Sequence, residues 1–139
     1  MTSIAIRCGG QQVRHSAFVI MRHATERLLY GDLLRSYGFR AECLCSISDA
    51  RNALNDVLPD VLLIDLDDAH NDDFEFIRHV RRANRLVSVI GFTAWPRGVA
   101  SSSPSGCDIC IQIPVSMAEV ISIVRGSLRT RTVEFLASA

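Results

Sequence analysis

Five short apolar runs recur along the chain, and stretches of helical period separate them. The clearest is Val61-Leu62-Leu63-Ile64, closed by Asp65. A run this short, built from β-branched and large aliphatic residues, predicts an interior strand buried on both faces. Ala17 to Met21 is a second such strand, stopped by Arg22-His23. Phe39 to Cys45, Leu86 to Phe92 and Cys107 to Ile113 complete the set.

The intervening segments read as helices. Thr25 is expected to cap the first, whose Leu29, Leu33 and Tyr37 share a face, with Leu28 and Leu34 beside them and Gly38 at its end. Ser48 or Asp49 starts the second, with Ala50, Ala53, Leu54, Val57 and Leu58 facing inward as far as Pro59. Phe74, Ile77 and Val80, with Phe76 beside them, define the third, and its other face carries Arg78, Arg81 and Arg82. Between Trp95 and Gly106, Pro96, Gly98, a serine run and Pro104 weaken a fourth. Ser116-Met117-Ala118-Glu119 is a capping-box pattern, and Met117, Val120, Ile121, Val124 and Leu128 continue one apolar face behind it. Residues 1–16 read as an arm, 17–128 as one domain, and 129–139 as a tail or an extension of the last helix.

Strands and helices in this alternation predict an α/β fold: a five-stranded parallel sheet with helices on both faces and right-handed crossovers. Asp65 then lies at the carboxyl edge of the sheet, where open α/β folds bind ligands. A dinucleotide site is excluded, because Arg22-His23-Ala24 follows the first strand where glycines would be needed to approach a pyrophosphate.

Composition narrows the partners. The 15 basic residues, all arginine, balance 15 acidic ones, so charge gives no support to a nucleic-acid-coating or membrane-binding role. Arg78, Arg81, Arg82 and Arg85, with Arg125, Arg129 and Arg131, read as solvated helix faces rather than a DNA-binding surface. An odd count of five cysteines, without a signal-peptide layout, points to free thiols in a reducing cytoplasm. No apolar stretch reaches the 18 residues of a membrane span.

From Phe18 to Ser127 the chain resembles a bacterial response-regulator receiver domain. The resemblance is carried by Tyr37-Gly38-Phe39, by Pro59 to Asp65, by Thr93-Ala94, and by Gly106-Cys107-Asp108 with Pro114 further on. It implies the flavodoxin-like receiver architecture, here with a weakened fourth helix. It also implies that Asp65 matches the phosphoacceptor and Thr93 the switch hydroxyl. Phosphoryl transfer to a carboxylate needs a divalent cation and a fixed positive group to offset the meeting of anions. Members of the family hold Mg²⁺ with an acidic pair after the first strand and contact the phosphoryl group with a lysine before the last-strand proline. Those positions read Met21 and Arg22, and Ile113. Cys110 stands where relatives often carry an aromatic residue.

The expectation is therefore a degenerate receiver: a phosphorylation-independent protein-interaction module of two-component signalling, not an enzyme, with Arg22 paired to Asp65. No cofactor is expected, Mg²⁺ included, and a cation held by Asp65 and Asp67 is the weaker alternative to a solvated loop. The partner is expected to be a histidine kinase or a transcriptional regulator. A homodimer is a further expectation, because Trp95, Val99 and the fifth strand's edge are thinly covered. The alternatives are an unconventional phosphoacceptor, with Asp65 as nucleophile and Thr93 as switch, and an accessory transcriptional regulator that acts through a DNA-binding partner.

Overall fold

The computed structural model describes residues 15–66, 71–94, 106–113 and 115–138. Nine elements follow one another along them: β1 (Ser16–Ile20), α1 (Ala24–Ser36), β2 (Arg40–Leu44), α2 (Ile47–Ala53), β3 (Val61–Asp65), α3 (Asn71–Ala83), β4 (Ser88–Thr93), β5 (Ile109–Gln112) and α4 (Met117–Ser138). All strands are parallel, in the order β2-β1-β3-β4-β5. This is the flavodoxin-like doubly wound sheet, with β1 and β3 flanking its topological switch point.

The period of two along each strand divides the core. Ala17, Val19 and Met21 face one side with Leu63, Ile90 and Phe92, where α1 adds Tyr30 and Leu34 and α4 adds Val120 and Val124. Phe18 and Ile20 face the other with Leu62, Ile64 and Val89, under Ala50 of α2 and Phe76, Ile77 and Val80 of α3. Val61 to Ile64 and β4 are buried throughout, as continuous apolar runs require.

Several local expectations are corrected. Leu29 and Leu28 of α1 are 51% and 59% exposed and Tyr37 is 44% exposed, while Tyr30, Gly31 and Leu34 are buried. The helix is rotated by about one residue from the expected stripe, because Gly31 lets its backbone close on Cys43 of β2. Thr25 lies inside this helix; the N-cap is His23, whose side chain makes no capping hydrogen bond. The second helix is capped by Ser46, whose Oγ accepts from the Asp49 amide at 3.1 Å, and it ends at Ala53, leaving Leu58 exposed.

His15 and Ser16, assigned above to the arm, belong to the fold. Ser16 starts β1, and its amide donates to Asp60 Oδ2 at 2.9 Å, with His15 Nδ1 at 3.7 Å from the same oxygen. Arg81 leaves the solvated arginine face of α3. Its Nη2 lies 3.0 Å from Asp108 Oδ2, and Nε and Nη2 both donate to the Gly106 carbonyl, tying α3 to the entry of β5. Asp108 Oδ2 also accepts from the Val89 amide at 2.8 Å.

The capping box forms as its spacing requires: the Glu119 amide donates to Ser116 Oγ at 3.1 Å, and the Ser116 amide donates to Glu119 Oε1 at 3.3 Å. The helix it opens continues to Ser138. The expected weak fourth helix and the Trp95 and Val99 surface fall at 95–105, outside the described residues, as do Asp67 and residues 1–14. No helix among the described residues is long and apolar enough to cross a membrane.

Candidate functional site

The carboxyl edge of the sheet opens into a cleft of about 160 Å³, lined by Met21, Arg22, His23, Glu26, Tyr30, Asp65, Phe92 and Ile113. The topology explains the gathering. β1 ends at Ile20 and delivers Met21, Arg22 and His23; β3 ends on Asp65; β4 supplies Phe92; the chain leaving β5 supplies Ile113. The first turns of α1 close the side with Glu26 and Tyr30.

Backbone hydrogen bonds hold these strand ends in register. The Met21 amide donates to Leu44 O at 3.2 Å, Leu66 to Phe92 O at 2.8 Å and Ile113 to Thr93 O at 2.9 Å. Arg27 fixes the turn after β1, its Nη1 donating to the carbonyls of Met21 at 2.8 Å and Arg22 at 3.2 Å.

Buried side chains back the cleft. Met21 and Phe92 are each 2% exposed, and Tyr30 packs its ring 5.0 Å from that of Phe92. Burial pushes the Tyr30 phenol above its ordinary value, and the Glu26 carboxylate adds to the shift, so Tyr30 stays a neutral hydroxyl. The rim carries both signs: Asp65 and Glu26 against Arg22. Arg22 Nη2 approaches the Asp73 carboxylate of α3 at 3.9 Å, and the Asp65 partner expected from the sequence lines the same cleft. Asp73 is 7% exposed, so its charge sits close behind the cleft.

Of the residues singled out by sequence, the structure brings together Asp65, Met21, Arg22 and Ile113. Thr93, 4% exposed at the end of β4, does not line the cleft, and neither does Cys110, which pairs with Gly91 in the sheet. Glu26, Tyr30, Arg27 and Phe92 were missed. A signal for Tyr30 was present, since Tyr30 and Leu34 stand four apart, but the neighbouring Leu29 and Leu33 have the same spacing. Phe92 looked like ordinary strand core.

Asp65 and Glu26 are the carboxylates among the described lining residues that could meet the hard divalent cation that the resemblance implies, and Asp67 lies outside the described residues. Mg²⁺ takes oxygen ligands in octahedral geometry, and here a thioether and a guanidinium border Asp65. Among the described residues no three His, Cys, Asp or Glu side chains gather as a metal-holding group. Ile113 offers no donor to a phosphoryl oxygen.

Comparison with solved structures places the fold among response-regulator receivers. NtrX from Brucella abortus, crystallised with ATP, superposes with a TM-score of 0.77 at 16% identity, over 91% of this chain and 29% of NtrX. The signal receiver domain of a putative Luxo repressor protein from Vibrio parahaemolyticus gives 0.74 at 14% identity, over 91% of this chain and 99% of that one. A BeF3-activated DrrB receiver domain gives 0.73 at 15% identity, over 84% and 99%. The chain thus spans under a third of NtrX and nearly all of the two isolated receiver domains. No protein-family model and no curated protein sequence matches it.

Proposed function

We propose that this chain is a receiver-type module of two-component signalling that binds a protein partner without a phosphoryl switch. The observation that carries the reading is the cleft itself. Where phosphotransfer needs a divalent cation and a fixed cation on the phosphoryl oxygens, Asp65 shares its space with Met21, Arg22 and Ile113. The buried Thr93, outside the cleft, adds to it. With no cofactor and no catalytic step, such a module works as a binding surface held in one state. A histidine kinase or a transcriptional regulator is the partner class, and the second accounts for a role in gene control through a DNA-binding protein.

The test is a backbone amide spectrum of the full chain, titrated with Mg²⁺ and then with Mg²⁺ plus beryllofluoride. The expected result is an unchanged spectrum. Shifts centred on Asp65, Thr93 and Leu66 would instead establish the competing reading, in which Asp65 accepts a phosphoryl group and Arg22 replaces the cation's charge.

A further inference from the structure

We infer that the outer edge of β2 docks a second copy of this chain, and that Arg35 of α1 is the latch that keeps this edge closed. The inference stands apart from the cleft and uses none of its residues. β2 is an edge strand, paired to β1. In a parallel strand the N–H and C=O of one residue point to one side, and those of the next residue point to the other. Here the Arg40 amide donates to His15 O at 2.9 Å, and Leu44 O accepts from the Met21 amide at 3.2 Å. Arg40, Glu42 and Leu44 therefore bond to β1, and Ala41 and Cys43 turn their backbone groups outwards. Such an edge is a template for another strand, and natural sheets block it. The block here is a side chain: Arg35 Nη2 donates to the Ala41 carbonyl at 2.8 Å. Arg35 Nη1 lies 3.5 Å from Asp32 Oδ1, so a carboxylate is at hand to hold the guanidinium once it leaves the edge.

The side chains of β2 select the occupant. Arg40 and Glu42 are exposed, stand on one face of the strand, and form no ion pair among the described residues. In an antiparallel pair of two β2 strands with Ala41 opposite Ala41, the two alanines exchange both backbone hydrogen bonds, and Arg40 of each copy lies directly opposite Glu42 of the other. These are the non-hydrogen-bonded positions, where side chains come closest and opposite charges stabilise. Setting Ala41 opposite Cys43 would instead put Glu42 against Glu42, so charge fixes the register. α1 fits the same arrangement. Gly31 rests on Cys43 and the later Arg35 on Ala41, so the helix runs antiparallel to β2, and the helices of the two copies run antiparallel to each other. Leu28, 59% exposed near the start of α1, then faces Tyr37, 44% exposed at its end, on the other copy. One strand and its helix thus carry their own complement in charge, in outward bonding groups and in exposed apolar side chains.

The experiment is sedimentation equilibrium of the full chain and of variants, with amide hydrogen exchange on the same samples. Arg35→Met, which keeps the aliphatic stem and removes the donor, is expected to dimerise at least about tenfold more tightly than the parent, because each copy no longer breaks a charge-assisted hydrogen bond to open its edge. In that dimer the Ala41 amide is expected to slow, while those of Arg40 and Glu42, already bonded to β1, keep their rates. Adding Glu42→Arg sets arginine against arginine and is expected to return the protein to monomer; adding Arg40→Glu as well is expected to restore the dimer. A second measurement leaves Arg35 in place: Arg40→Glu and Glu42→Arg, each repelling its own copy, are expected to associate with each other about tenfold more tightly than either does alone. A monomeric Arg35→Met, a dimer whose Ala41 amide does not slow, or a dimer indifferent to Glu42→Arg overturns the inference. If Arg35→Met fails to fold, the mixture decides, and no gain over the separate variants overturns it too.

Discussion

Replacing Gly31 with alanine tests the contact that seats α1 on the sheet and so places Glu26 and Tyr30 over the cleft. In an exposed helix the change would stabilise by about 1 kcal/mol, because glycine has the greater backbone entropy to lose. Here a Cβ would lie 2.4 Å from Cys43 Sγ, with Arg35 Nη1 at 3.4 Å. Sulfur and carbon need more than 1 Å beyond that, so either the helix moves out or the β2 side chain turns. Overpacking of this kind costs roughly 1–3 kcal/mol, which exceeds the propensity gain. The single variant should therefore be destabilised by about 1 kcal/mol. In a Cys43→Ala background the obstructing sulfur is gone, and the same substitution should stabilise by about 1 kcal/mol, a coupling of about 2 kcal/mol. Cys43 also donates to Arg27 O at 3.5 Å and accepts from Arg35 Nη2 at 3.6 Å, losses common to both arms of the cycle. Urea unfolding followed by circular dichroism measures all four proteins. A Gly31→Ala variant as stable as the parent, or an equal penalty in both backgrounds, would refute the account of α1.

Ser88 Oγ is fully buried with no hydrogen-bond partner among the described residues, so Ser88→Ala should raise stability by about 1 kcal/mol in the same assay; a loss of that size would mean that the hydroxyl is satisfied. Arg81→Met should cost about 2–3 kcal/mol, since it leaves Asp108, 20% exposed, and the Gly106 carbonyl short of a donor, and hydrogen exchange should rise first at the β5 amides. The His15 and Asp60 pair predicts a pH window. The His15 imidazole is raised above its ordinary 6.5, mainly by its bond to Asp60, so its contribution is complete below 6.5 and fades as pH climbs through the raised value. The Asp60 carboxyl is lowered below its ordinary 3.8, because burial pushes it up but the bonds from His15 and the Ser16 amide outweigh that, so its contribution fades only in more acid solution. The melting-temperature gap between the parent and His15→Gln should thus be widest between pH 3.8 and 6.5 and should close in alkali; a gap that grows towards pH 9 would contradict it.

The resemblance read from the sequence implies other residues at the positions of Arg22 and Ile113. Both were legible as departures before any coordinates, because they stand at fixed distances from features that local physics specifies, the end of an apolar strand and a strand-ending proline. What they leave behind, a cleft bordered by both signs of charge, could not be written down from the sequence, since Glu26, Tyr30 and Phe92 of its lining look like ordinary core or surface.

The amino-acid order by itself determined the strands, their parallel arrangement, the capping box at Ser116 and the position of Asp65 at the carboxyl edge. Those follow from period, chain length and short-range hydrogen bonding, which act within a few residues. Only the tertiary structure decided which of two equally spaced stripes α1 buries, because the choice is made by Gly31 meeting Cys43 across to β2. It likewise decided that Arg81 leaves the solvated face for Asp108, that His15 joins the sheet edge through Asp60, and that Arg22 reaches Asp73. Each of these links residues between 12 and 51 positions apart. A charged or small side chain finds such a partner only after the sheet has brought the strand ends together.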